Sequence, residues 1–243
     1  MELSDRVVLI TGGAKRIGRA IALRLARAGC NIAIHYRRSR ADAEATVAGC
    51  RALGVDADLL AADLANAAQT ATLVPWVTRR FGRLDILINN ASEFPRMALD
   101  DFDAAVWDRV MHVNATAPMI LAHAAAPELR RRRGRIVNLC DASTARPWTS
   151  HLAYSASKAA LECVTKMLAR TLAPDVNVVG VAPGVADWPD DYGADVRAKL
   201  TTRIPLQRAG TPDDIAAMVH FLLADGDFVT GSIIPVDGGR GIA

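Results

Sequence analysis

Along most of the chain, short runs of branched apolar residues alternate with longer amphipathic stretches, and this alternation limits the fold more than any other feature. The spacing predicts strands at Val7–Ile10, Asn31–Tyr36, Asp56–Ala61, Asp85–Ile88, Arg135–Leu139, Val176–Val181 and Ser232–Val236. Between them it predicts helices at Ile17–Ala28, Arg40–Leu53, Ala67–Phe81, Ala104–Arg132, His151–Leu172 and Pro212–Leu223. Gly29 and Gly82 follow two of these stretches, where a helix commonly ends in a left-handed residue. A strand apolar on both faces needs cover on both sides, and a helix after each strand returns the chain to start the next one in parallel. The expectation is an α/β fold with a seven-stranded parallel sheet between helical layers and right-handed crossovers. With 243 residues, one domain spanning 1–243 accommodates it. The rhythm breaks at Gly184–Gly210, where only Ala194–Thr201 is helix-like, the pattern of a substrate loop over 184–210.

Composition removes several function classes. Hydrophobic residues at 51% and charged residues at 23% exclude a disordered chain. No apolar run reaches the ~18–20 residues of a membrane helix. The charged start, Met1 to Arg6, runs straight into a strand, so no signal peptide and a cytoplasmic location are expected. The four cysteines, Cys30, Cys50, Cys140 and Cys163, form no C-x-x-C pair; they read as buried thiols, with no metal site. The pI near 8.8 comes with only 5% aromatics, and no basic stripe alternates with them. The run Arg130 to Arg133 followed by Arg135 reads as the cationic end of a helix, so neither nucleic acid nor membrane is expected as a partner.

After the first strand comes Thr11-Gly12-Gly13-Ala14-Lys15-Arg16-Ile17-Gly18. Glycines between strand and helix let a backbone approach a diphosphate, which the helix N-terminus favours; the bland alternative is a tight turn without a ligand. The spacing T-G-x-x-x-R-x-G resembles the short-chain dehydrogenase/reductase family, whose usual pattern has Gly where Arg16 stands. This implies a Rossmann-type three-layer fold. At the end of the second strand, Tyr36 is followed by Arg37, Arg38 and Ser39, with no carboxylate to bind ribose hydroxyls. Two guanidiniums and a hydroxyl suit a 2′-phosphate, and Arg16 is expected to face the same place, so the expected cofactor is NADPH/NADP+. The resemblance adds Asp63 and Leu64 at the adenine, and the Asn90, Ala91 and Ser92 turn at the cofactor cleft.

Tyr154 and Lys158 stand at i and i+4, on one face of a predicted helix. A nearby ammonium is expected to lower the phenol's pKa toward a useful range. The resemblance now runs from Thr11 to Gly239. It implies Tyr154 as proton donor, Lys158 as ribose ligand and tuner, and Asn114 as holder of a relay water. Thirteen residues before Tyr154, where relatives carry Ser, stands Asp141. A hydroxyl donates to a ketone oxygen, whereas a carboxylate only accepts. Ser143 lies two residues out of register for that task. After Pro183, Gly184 and Val185, the family's usual Thr is absent, which leaves carboxamide binding to the Val185 backbone. Trp188 either covers the substrate or anchors the loop.

Asp141, Arg16, H-Y-x-R-S after strand two and N-N-A-S-x-F together resemble the pteridine reductase subgroup. In it the positions of Ser92 and Phe94 line the pterin site, with Phe stacking on the pterin. Leu172 to Val176, the Asp190-Asp191 pair and Asp237-Gly238-Gly239-Arg240 are similar to bacterial dihydromonapterin reductases. The expectation is NADPH-dependent pterin reduction, with a pterin-like small molecule as partner and a homotetramer as assembly. The rivals are a generic carbonyl or 3-oxoacyl-thioester reductase and a catalytically silent NADP-binding sensor or scaffold.

Overall fold

In the computed structural model, which describes residues 1–188 and 193–243, β1 (Val7–Ile10) lies mid-sheet between β2 (Asn31–Tyr36) and β4 (Ile86–Asn89). Outward from these lie β3 (Ala57–Ala61) on one side, and β5 (Arg135–Leu139), β6 (Asn177–Pro183) and β7 (Ile233–Val236) on the other. The seven strands are parallel, in the order β3-β2-β1-β4-β5-β6-β7. Strand order reverses between β1 and β4, which opens a crevice at their carboxyl ends, the usual ligand position in such sheets.

Alternate residues supply the two cores. Val8, Ile10, Ile32 and Ile34 face one side, against α1 (Arg16–Arg27) and α8 (Pro212–Ala224). Val7, Leu9 and Leu87 face the other, against α3 (Ala67–Phe81), α5 (Ala117–Arg132) and α6 (Leu152–Leu172). The remaining helices are α2 (Arg40–Arg51), α4 (Ala104–Met111) and α7 (Ala194–Thr201), the last inside the expected substrate loop.

Three expectations are corrected. The single helix at Ala104–Arg132 is interrupted by a π-turn at His112–Thr116, where the Ala117 N–H reaches back to the His112 carbonyl. Pro118 has no N–H to give the Asn114 carbonyl four residues earlier, so the regular ladder cannot continue there. The fourth strand begins at Ile86 because Asp85 turns inward instead. Its buried carboxylate accepts from Arg6 at 2.9 Å, from the Val7 N–H at 3.0 Å and from Arg83. Burial alone would raise the Asp85 pKa, but these donors outweigh it and hold the carboxyl below its ordinary value. Cys30, Cys50 and Cys140 are buried as expected, while Cys163 is exposed on α6. The arginine run does end a helix: Arg131 and Arg132 pair with Glu128, and Arg133 closes α5 at φ +49°.

Among the described residues, no helix is long and apolar enough to cross a membrane, and no His/Cys/Asp/Glu group is arranged to hold a metal ion. The first turn of α1 presses on the glycine turn: a Cβ on Gly18 would lie 2.3 Å from the Gly12 oxygen and 2.7 Å from Asn90 Nδ2. Gly18→Ala should therefore destabilise the fold by about 1–3 kcal/mol, measured by urea unfolding, and loosen the turn. A variant as stable as the parent would show that the turn yields freely.

Candidate active site

At the end of β1 the chain turns at Gly12 with φ +62°, a conformation that suits glycine. Neighbours from two strands hold this turn. The Gly12 N–H donates to Nδ1 of His35 at 3.2 Å, and the opposite ring nitrogen of His35 meets the Ala62 carbonyl at 3.1 Å. That pairing assigns the neutral tautomer with its proton on Nε2. Asn90 Nδ2 donates to the Thr11 and Gly12 carbonyls, and Thr11 Oγ1 accepts from the Asn90 and Ala91 N–H groups. Arg16 stands at φ +51°, a strained value for a side chain other than Gly or Asn. It does not join the arginines after β2 as expected. Instead its Nε donates to Asp187 at 2.5 Å and its Nη2 to the Trp188 carbonyl at 3.1 Å, tying the glycine turn to the loop after β6.

A cleft of about 1010 Å³ runs from this turn across the carboxyl ends of the strands. Gly12, Arg16, Ile17 and Gly18 line it on one side, with Tyr36, Arg37, Arg38 and Ser39 at the end of β2. Asp63, Leu64, Asn90, Ala91 and Ser92 also line it, as do Pro183, Gly184, Val185 and Trp188 after β6. The Val185 carbonyl accepts from the Gly210 N–H at 2.8 Å, so that carbonyl holds the two ends of the loop together. The Asp190-Asp191 pair lies outside the described residues.

Sequence reasoning missed a charged ladder beside this cleft. Arg109 on α4 bridges Asp63, at 3.1 Å, and Glu93, at 2.9 Å, while Glu93 also pairs with Arg37. Burial alone would raise the Asp63 carboxyl; the Ala65 N–H and Arg109 outweigh it and hold the carboxyl below its ordinary range. The only clue to Glu93 was its place inside N-N-A-S-E-F; Arg109, distant in sequence, gave none. Glu93 is fixed at its backbone too. Asn114 Oδ1 accepts from its N–H at 2.8 Å, and Asn114 Nδ2 donates to its carbonyl and to Ser157 Oγ, each at 3.0 Å. The Asn114 side chain is thus a clamp between the Ser92–Phe94 loop and the α6 helix.

At the far end of the cleft, Tyr154 and Lys158 both lie buried on α6. The Tyr154 hydroxyl donates to Asp141 Oδ2, and Asp141 Oδ1 accepts from the Ser143 N–H at 2.7 Å. The expected lowering of the phenol is reversed. Burial first, and then the Asp141 carboxylate, push the Tyr154 pKa well above its ordinary value. Lys158 Nζ donates to the Leu139 carbonyl at 2.7 Å and stands 5.7 Å from the Tyr154 ring centre. Its burial lowers its own pKa. Phe94 stacks on His151, with centroids 4.2 Å apart and planes at 14°, and meets Tyr154 and Trp148 edge to face. It remains 39% exposed, so the ring still presents surface to the cleft. Trp148 and His151 were not singled out in the sequence, although both lie between Asp141 and Tyr154.

His35 gives the site a pH dependence. Burial lowers its pKa to about 4, against the opposing pull of the Ala62 carbonyl. Between its unfolded value of 6.5 and about 4, the unfolded chain binds a proton that the folded chain refuses. The stability from neutral His35, about 3 kcal/mol, is therefore complete above pH ~6.5 and is lost as pH falls toward 4. Melting temperature should rise with pH across that window, and His35→Gln should flatten the rise. An unaltered profile in the variant would assign the dependence to other groups.

The chain matches a family model described as enoyl-(acyl carrier protein) reductase over residues 12–240. It is 37% identical to a protein of Staphylococcus aureus strain Mu50 named 3-oxoacyl-[acyl-carrier-protein] reductase FabG, covering 95% of this chain and 96% of that one. A short chain dehydrogenase from Burkholderia cenocepacia J2315, solved in complex with NADP, is 38% identical with a TM-score of 0.93, covering 100% of both chains. A blue fluorescent protein from a metagenomic library, solved in complex with NADPH, is 35% identical with a TM-score of 0.93, covering 99% of each.

Proposed function

The chain belongs to the short-chain dehydrogenase/reductase family, and we propose that it is an NADPH-dependent reductase whose substrate is a flat, pterin-like heterocycle. The cofactor reading rests first on fit. Gly12 and Gly18 leave no room for side chains beside Asn90, so the backbone at the head of α1 is bare, as close approach by a diphosphate requires. Arg37, Arg38 and Ser39 line the same cleft at the end of β2, and two solved relatives hold NADPH or NADP. When bound, NADPH supplies a hydride. Gly12, Ile17 and Gly18 would hold its diphosphate, and Arg37, Arg38 and Ser39 its 2′-phosphate. Asp63, Leu64, Asn90 and Ala91 would line the adenosine end, and Lys158, Pro183, Gly184 and Val185 the nicotinamide end. Arg38→Ala should weaken NADPH binding roughly ten- to a hundredfold while leaving NADH binding nearly unchanged, by fluorescence titration. Equal affinity of the unmutated protein for both cofactors would overturn this assignment.

One observation carries the substrate reading: the Tyr154 hydroxyl donates to Asp141. Tyr154 keeps its proton until a substrate atom beside it gains negative charge, because a phenolate next to the Asp141 carboxylate is doubly penalised. The proton then passes from the phenolic oxygen to that atom, and Tyr154 recovers one from water. An ionised Asp141 repels a developing alkoxide yet accepts from the N–H groups of a pterin. Phe94 and Ser92 line the same cleft, where the aromatic ring can stack on a flat substrate. Trp188 lines the same cleft. In this reading the reduced bond is C=N, with hydride added to carbon and the Tyr154 proton to nitrogen.

A carbonyl substrate such as a 3-oxoacyl thioester is the second reading. The similar proteins support it better than the pterin reading, since relatives carry 3-oxoacyl-[acyl-carrier-protein] reductase and ketoacyl reductase in their names. Ser143 also brings a hydroxyl to the cleft two residues from Asp141. Asp141→Ser separates the two. If the substrate is a pterin, kcat/KM for a dihydropterin should fall by at least about tenfold, the loss of one charge-assisted contact, while activity on an activated ketone persists or rises. A strong preference of the unmutated protein for the 3-oxoacyl thioester would establish the second reading instead.

A further inference from the structure

Beyond Tyr154, at the outer end of the cleft, three arginines arrive from three separate segments. Arg146 follows the short 3-10 turn Ala142–Ala145, Arg203 follows α7, and Arg240 opens the turn Arg240–Ile242. All three line the same cleft as Tyr154 and Trp148. Backbone contacts bring the segments together: the Leu206 N–H donates to the Gly238 carbonyl at 3.1 Å, and a Cβ on Gly239 would touch Pro205 at 3.0 Å. Arg240 lies over the Trp148 ring at 5.7 Å. Arg146 donates to a terminal carboxylate oxygen of Ala243, so an anionic ligand must share or displace that partner. The Arg203 side chain makes no ion pair or hydrogen bond with any described residue.

Among the described residues, the nearby side-chain carboxylates of Asp141 and Asp237 are occupied. Asp141 serves Tyr154 and the Ser143 N–H, and Asp237 accepts from the Gly239 and Gly241 N–H groups at 2.9 and 2.7 Å. An aromatic wall therefore ends in a rim of guanidiniums, the group best shaped to grip carboxylate or phosphate. Low-dielectric walls focus such a field into the cleft.

We propose that Arg203 and Arg240, with Arg146, form a subsite for an anionic tail on the substrate, at the end remote from the reacting bond. The proposal rests on the reductase reading only in placing that bond at Tyr154. Carboxylate and phosphate share this chemistry, so the test carries one probe of each. Dihydrofolate bears a dicarboxylate tail, with dihydrobiopterin as its neutral counterpart; acetoacetyl-coenzyme A bears phosphates, with the acetoacetyl thioester of N-acetylcysteamine as its counterpart.

The measurement is equilibrium binding, by tryptophan fluorescence, to the full chain saturated with NADP+. It compares the unmutated protein with the double variant Arg203→Gln, Arg240→Gln. At least one anionic probe should bind the variant roughly tenfold more weakly, with its neutral counterpart unchanged, and the difference should shrink at high salt. A response to dihydrofolate names a carboxylate tail. A response to acetoacetyl-coenzyme A alone keeps the subsite but removes the pterin reading. The subsite is overturned if both anionic probes bind the variant as tightly as the parent. It is equally overturned if neutral and anionic probes weaken alike, or if neither anionic probe binds the parent more tightly than its counterpart.

Discussion

Gly12 holds a left-handed turn at the carboxyl end of β1, and the rest of the cleft depends on keeping it there. A turn without side chains has no packing of its own, so its shape must come from its neighbours. His35 accepts its N–H from the β2 side and Asn90 donates to its carbonyl from the β4 side. Those two strands flank β1 at the point where strand order reverses. The same geometry explains why Gly18 must be bare and why a strained Arg16 is tolerated: two contacts to the loop after β6 hold it.

The sheet was legible in the sequence because fully buried parallel strands must be apolar on both faces, and the helices between them must be apolar on one. Strand and helix limits in the sequence and the structure agree closely, down to the helix at Ala194–Thr201. The misreadings came from residues whose role depends on distant partners. Asp85 looked like the first residue of a strand, but Arg6 and Arg83 draw its carboxylate inward. The long helical pattern before Arg132 gave no sign of the π-turn, although Pro118 was its physical cause. In the site, motif residues were found by spacing. Glu93 and Trp148, which line the cleft, and Arg109 and His151, which pack behind its lining residues, were not, because only the fold brings them together.

Charge divides the cleft into two ends with different logic. After β2, arginines and carboxylates alternate through Arg37, Glu93, Arg109 and Asp63, so Arg37 already has a partner that a phosphate must share or displace. These pairs are partly exposed, so each is individually weak and exchange is cheap. At the outer rim, among the described residues, Arg146, Arg203 and Arg240 line the cleft, while the Asp141 and Asp237 carboxylates are already hydrogen-bonded. Glu93 connects the two halves: its carboxylate belongs to the ladder, while Asn114 fixes its backbone beside Phe94.

The Asn114 clamp also bears on the chemistry. Ser157, which receives one Asn114 N–H, donates to the Tyr154 carbonyl at 2.7 Å. Through one amide, the loop that carries Phe94 is registered to the helix that carries Tyr154. A stacking ring is useful to a proton donor only if the two keep a fixed spacing, since misplacement on the order of 1 Å costs about 10²-fold in rate. The π-turn places Asn114 at this junction, where an uninterrupted helix would rotate the residues after it onto other faces. The irregularity in the longest helical stretch thus serves the alignment of the substrate wall with the reacting phenol.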